Sequence, residues 1–149
     1  MVTEQLALVE KAAKDLLGGT KASEITTSYK TTEWTTHHWN HFLRSLGEKL
    51  PADRMQDLDA EFKFTQSGNS EITHDWLMLA IGSEYQPAMD RLEEFLTEQG
   101  RRKFLAPLYT KLSKTEKGLK HGKAIYAKAR PGYHSVSTGT IDEILGWEK

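Results

Sequence analysis

The sequence predicts an all-α fold, and three observations predict it. Apolar residues return every three or four positions in seven separate segments, the spacing that gathers them on one helix face. No segment alternates apolar and polar residues as a half-buried strand does. Short runs of Gly, Pro, Ser, Thr and Asn, the residues that start and stop helices, divide the segments. Helices joined by short turns pack naturally as antiparallel pairs in two layers, as a bundle or a short solenoid. No clean internal repeat favours a consensus array.

Leu6, Val9, Ala13 and Leu16 stripe the first helix, which Gly18-Gly19 closes. Residues 20–35 are rich in Thr and Ser and read as a connection, long enough to hide a short turn of helix. Thr35 or Thr36 caps the second helix, which runs through Trp39, Phe42, Leu43 and Leu46 to Gly47. Pro51 suits the first turn of a third helix with Met55, Leu58 and Phe62 inward. Asn69 or Ser70 caps a fourth whose apolar run, Ile72 and Trp76 to Ile81, covers more than one face, as in a deeply buried element. The fifth has Tyr85, Met89, Leu92, Phe95, Leu96 and Gln99 as its stripe and ends at Gly100. The sixth holds Phe104, Leu105, Leu108, Tyr109 and Leu112, with Pro107 kinking it or marking its true start. Ser113-Lys114-Thr115-Glu116 fits a capping box for the seventh, with Leu119, Gly122, Ile125, Tyr126 and Ala129 inward until Pro131-Gly132. Thr138-Gly139-Thr140 reads as loop, and Ile141 to Leu145 as a last turn.

A chain of 149 residues is expected to form one domain with a real core. With no cysteine there is no disulfide, no thiolate nucleophile and no cysteine zinc site, which suits a reducing compartment. The first residues lack signal-peptide pattern, and no apolar run reaches membrane-span length, so no membrane partner is expected. Net charge is −1, but its distribution is uneven. Residues 1–100 carry nine Lys and Arg against 17 Asp and Glu, whereas residues 101–130 carry ten against one. Such asymmetry points to an anionic ligand or an acidic neighbouring surface. The pI of 6.6 and the lack of a recognised motif speak against nucleic acid.

His37 and His41 are four apart and share a helix face, the histidine spacing of the H-E-x-x-H zinc helix. The position that should hold the catalytic glutamate is His38, and no third ligand can be assigned, so a polar helix face is the plainer reading. No G-x-S-x-G, Walker or dinucleotide glycine pattern occurs. Glu93-Glu94 and Asp57 with Asp59 read as solvated carboxylates. The stronger candidate is Glu98-Gln99-Gly100-Arg101-Arg102-Lys103-Phe104. Arg101 and Lys103 are two apart at a helix junction, where side chains converge beyond a helix end. Arginine offers a planar two-point grip for a carboxylate, lysine a compact charge, and a helix N-terminus favours anions. Lys111, Lys114, Lys117, Lys120, Lys123 and Lys128 extend the basic surface, and a solvated basic face is the alternative to an anion site.

Glu98 to Phe104 followed by Pro107-Leu108-Tyr109 resembles the E-Q-G-R-x-K-F-x-x-P-L-(F/Y) run in the C-terminal domain of the leukotriene A4 hydrolase and zinc aminopeptidase family. Arg54-Met55-Gln56, Asn69-Ser70-Glu71-Ile72 with Trp76-Leu77, the helix around His37, Asn40, Phe42 and Leu43, and Tyr133-His134 with Val136 are similar to it at similar spacing. The likeness covers about residues 36–138; residues 1–35 share only helical character. The resemblance implies a two-layer α-α superhelix, armadillo-like, of about seven to nine helices. It implies that residues 1–149 are the C-terminal domain of a larger cytoplasmic metallo-aminopeptidase. Arg101 and Lys103 would bind the substrate carboxylate, with Arg102 at the variable position and Ala106 where relatives often carry Arg. Partners would be the parent's own catalytic and N-terminal domains and a short peptide. Zinc would sit in the parent's catalytic domain, with no catalytic or metal residue in this chain. The alternative is a stand-alone helical scaffold that binds an acidic protein through the 101–130 surface.

Overall fold

The computed structural model describes residues 4–98 and 101–147. All secondary structure among them is helical: nine α-helices and four single 3-10 turns. The chain divides into two compact units, residues 1–85 and 86–149.

In the first unit, α1 is Glu4–Leu17, α2 Ala22–Tyr29, α3 Thr36–Ser45, α4 Ala52–Phe62 and α5 Ser70–Ser83. α1 packs on α3 and α3 on α5, while α2 packs on α4. Alternate helices therefore share a layer, as the two-layer expectation requires. Val9, Ala12, Ala13 and Leu16 of α1, Phe42 and Leu43 of α3, and Trp76, Leu77, Leu79 and Ala80 of α5 form the core. α5 is buried on several faces, as its sequence predicts. Asp75 on α5 is buried but paired: Asn40 Nδ2 donates to it at 2.6 Å, and Arg44 Nε and His74 Nδ1 lie at 3.1 and 3.2 Å. A buried carboxylate is tolerated only with such partners.

Residues 20–35 differ from the expectation. They contain the two-turn helix α2 and a 3-10 turn over Thr31–Glu33 rather than a connection. The polar side chains that suggested a loop find partners within the helix and on α4. The Thr27 hydroxyl bonds back to the Ser23 carbonyl, and that of Thr26 donates to Glu61 of α4 at 2.9 Å. Ala22 and Ile25 are fully buried. Lys21 supplies no side-chain cap, and Asp57 of α4 caps the helix from outside, accepting the Ala22 N–H at 2.8 Å. A cap that lies 35 residues away cannot be seen locally. Thr35 caps α3 in a box with His38, Asn69 caps α5, and Pro51 sits at the α4 N-cap, one position before the first turn.

In the second unit, a 3-10 turn over Gln86–Ala88 leads into α6, Met89–Glu98, followed by α7 Arg102–Leu112, α8 Glu116–Ala129, and α9 Ser135–Leu145. α6 packs on α8 and α7 on α9, again alternately. Tyr85 is not on the α6 stripe. It belongs to the first unit, with its ring against Trp76 at 5.9 Å and its hydroxyl donating to Asp59. Gln99 and Gly100 lie outside the described residues. Helix α7 starts five residues before Pro107 and continues through it, so proline is not its start. The predicted box on Ser113 does not form. Thr115 is the cap, accepting Gly118 N–H at 2.9 Å. The tail is not loop plus one turn but the continuous helix α9. His134 Nδ1 accepts the Val136 N–H, and Thr138 and Thr140 hydroxyls bond back to Ser135 and Val136. Ser137, Ile141 and Leu145 are buried at a spacing of four, so a polar-looking stretch still has a core face.

Candidate functional site

Arg101 is the N-cap of α7, in extended backbone (φ −82°, ψ 117°), and Lys103 is the second residue of its first turn. The side chains of Arg101, Arg102 and Lys103 are exposed. No acidic residue stands in that turn and Arg101 makes no side-chain cap bond. A helix N-terminus carries partial positive charge, so cations there oppose the helix dipole at about 0.3–1 kcal/mol each. An anion placed beyond them would be attracted by both.

Both residues of the sequence-predicted pair lie against one aromatic ring. Lys103 Nζ lies 4.8 Å from the centre of the Phe104 ring and the Arg101 guanidinium 6.0 Å from it. Phe104 is buried and meets Phe95 of α6 edge to face at 6.0 Å. Arg91 covers Phe95 at 5.7 Å and pairs with Glu94 at 3.2 Å. So the rings of α6 and α7 meet edge to face, with the two candidate cations against Phe104.

A tyrosine pair fastens the same corner from behind. Tyr133 donates its hydroxyl to the carbonyl of Leu96, in the last turn of α6, whose C-terminal carbonyls have no partner within the helix. That commits its single proton, so Tyr109 of α7 must donate to the Tyr133 oxygen, 3.0 Å away. Burial holds the Tyr109 phenol well above its ordinary range and pushes Tyr133 up to about 12. Both stay protonated, and the chain of bonds intact, across ordinary pH. Tyr126 of α8 donates to Asp142 of α9 at 2.5 Å, and Arg130 grips the same carboxylate through two nitrogens at 2.9 and 3.0 Å. Tyr109 and Tyr133 were not found as a pair by sequence reasoning, because Tyr133 follows Pro131-Gly132 outside any periodic stripe.

Several of the other candidates have structural partners. His41 Nε2 is 3.0 Å from Glu10, His38 belongs to the α3 capping box, and His37 is exposed. Among the described residues no three His, Asp or Glu converge on a point, so these side chains do not fit a zinc ion. Asp57 and Asp59 are not solvated carboxylates: Asp57 caps α2, and Asp59 accepts from Thr65 and Tyr85. Glu93 accepts from Lys128 at 2.8 Å, which holds its carboxyl below the usual range. Of the remaining lysines, Lys114, Lys117 and Lys120 are exposed, whereas Lys111 and Lys123 are half-buried.

A family model for the C-terminal domain of leukotriene A4 hydrolase matches residues 34–145. The chain belongs to this family. Among curated relatives, aminopeptidase B of Mus musculus is 25% identical over 116 residues, 75% of this chain and 18% of that protein. Leukotriene A-4 hydrolase of Xenopus laevis is 30% identical over 92 residues, 62% of this chain and 15% of that protein. The structure of native yeast LTA4 hydrolase matches with a TM-score of 0.73 at 20% identity, over 95% of this chain and 25% of that one. That likeness is one of fold, and it extends into α1 and α2, which the family model leaves out. The chain spans less than a fifth of the curated relatives it matches. Among the described residues, no helix is long and apolar enough to cross a membrane.

Proposed function

We propose that residues 1–149 act as the C-terminal helical domain of a longer cytoplasmic zinc aminopeptidase, and that Arg101 and Lys103 bind the C-terminal carboxylate of a short peptide substrate. The observation that supports this is that both cations at the start of α7 lie against the Phe104 ring, 4.8 and 6.0 Å from its centre. In this reading the guanidinium takes the carboxylate through two parallel N–H···O bonds and the ammonium adds a point charge. The domain thereby sets how far the peptide reaches toward the reacting bond, and its surface forms one wall of the substrate channel. It holds no catalytic group; the metal and base belong to the parent's catalytic domain, and that domain and the N-terminal one are its partners. Relatives named as aminopeptidases support this reading.

The test uses the longer protein encoded by the native reading frame. Charge-assisted hydrogen bonds contribute about 1.5–3 kcal/mol each, so R101A is expected to raise KM for tripeptides roughly tenfold or more. Turnover of an aminoacyl anilide, which has no carboxylate, should stay unchanged. Equal loss on both substrates would contradict the assignment.

A further inference from the structure

We infer that Phe104 is a positioning residue for the anion site, its ring acting as the platform that holds the cationic ends of Arg101 and Lys103. The inference rests on the carboxylate reading above and adds a residue to it. In an α-helix, side chains lean toward the N-terminus, so a residue covers the turn before its own Cα. Phe104 is the third residue of α7, and its ring therefore leans toward Arg101, three positions back. The positions agree: both cationic groups lie within 6.0 Å of the ring centre, the range of a cation–π contact. Long basic side chains at an exposed helix start otherwise sample many rotamers, and a ligand must then stop that motion on binding. A ring that attracts both cations removes part of that cost beforehand. The ring itself is fixed, because Phe104 is only 3% exposed and rests on Phe95. Two like charges also repel when they converge, and the negative face of the ring offsets that repulsion.

The experiment is an NMR study of this chain with F104L, which keeps an apolar side chain without the ring face, and F104Y, which keeps the face. In the wild type, the Lys103 ε-protons and Arg101 δ-protons should resonate upfield of their values in an unstructured peptide. F104Y should keep that shift and F104L should lose it. Titration with N-acetylglycylglycine should then give a dissociation constant about three- to tenfold weaker for F104L than for wild type, with F104Y close to wild type. Affinity in F104L equal to wild type, or no upfield shift in the wild type, overturns the inference. If the wild type fails to distinguish N-acetylglycylglycine from its C-terminal amide, the carboxylate reading falls, and Phe104's role as part of that site falls with it; side-chain shifts that still track the ring would locate the error in the ligand rather than in the platform. Should F104L not fold, judged by its helical circular dichroism, the wild-type shifts and F104Y decide alone: shifts present and affinity retained support the platform, absent shifts overturn it.

Discussion

Replacing Tyr133 by Phe tests the tyrosine chain behind the α6–α7 corner. The substitution removes one oxygen atom and leaves the ring. Two buried groups then lose their partner: the Leu96 carbonyl, which accepted from Tyr133, and the Tyr109 hydroxyl, which donated to it at 3.0 Å. Leu96 and Tyr109 are fully buried, so water does not readily replace the lost oxygen. A buried donor or acceptor left unsatisfied costs about 1–3 kcal/mol. The two together should destabilise the chain by about 2–4 kcal/mol. Y109F is chemically the same change but should cost less, about 1 kcal/mol or under. It leaves the Tyr133 proton on the Leu96 carbonyl and empties only an acceptor position, which proteins tolerate better than an orphaned donor. Urea denaturation followed by circular dichroism and by fluorescence, including Trp147 of the second unit, gives both values. At about 2–4 °C per kcal/mol for a chain of this length, thermal melts should show the same order. Y109F costing as much as Y133F would refute the assignment of donors.

Two further outcomes follow from the packing and the titrating groups. G118A should destabilise by about 1–3 kcal/mol although alanine is the better helix former by about 1 kcal/mol; a Cβ at Gly118 would sit 2.3 Å from the backbone oxygen of Leu112, and denaturant melts showing a gain would contradict that close approach. All five tyrosines have phenols held above the ordinary value of 10.0, by burial first in each case, with Tyr29, Tyr85 and Tyr133 pushed to about 12. A raised phenol value means that the folded chain keeps protons which the unfolded chain releases near pH 10. Stability is therefore full below pH 10 and falls as pH climbs toward 12. Phenolate absorbance should stay low at pH 10 and then rise together with loss of helix; a tyrosine that titrates at its ordinary value in the folded chain would count against this environment.

Helix faces were legible because burial enforces their period. Val9, Ala13 and Leu16, or Leu92, Phe95 and Leu96, have to face a core, and only one spacing allows it. Features decided by distant partners were not legible. Helix α2 takes its cap from Asp57, and the hydroxyls of α9 turn back onto their own helix, so both looked like polar loop. Tyr85 carried the right spacing for α6, yet its partners Asp59 and Trp76 hold it in the first unit. At the site, the two cations were visible as charges at a helix junction. The ring beneath them was visible only as a core residue, since helical spacing does not reveal which side chains lie across its face. The Tyr109–Tyr133 bond joins residues 24 apart, and nothing local announces it.

The claim that Arg101 and Lys103 grip a carboxylate is tested most directly by calorimetric titration of this chain with triglycine and with triglycine amide. The two ligands differ in one charged group. Wild type should bind the free acid roughly tenfold tighter or more, the worth of one charge-assisted hydrogen bond or above. The double variant R101A/K103A should lose that preference while keeping its helical content. Equal binding of acid and amide by wild type, or a preference that survives in the double variant, would contradict the account.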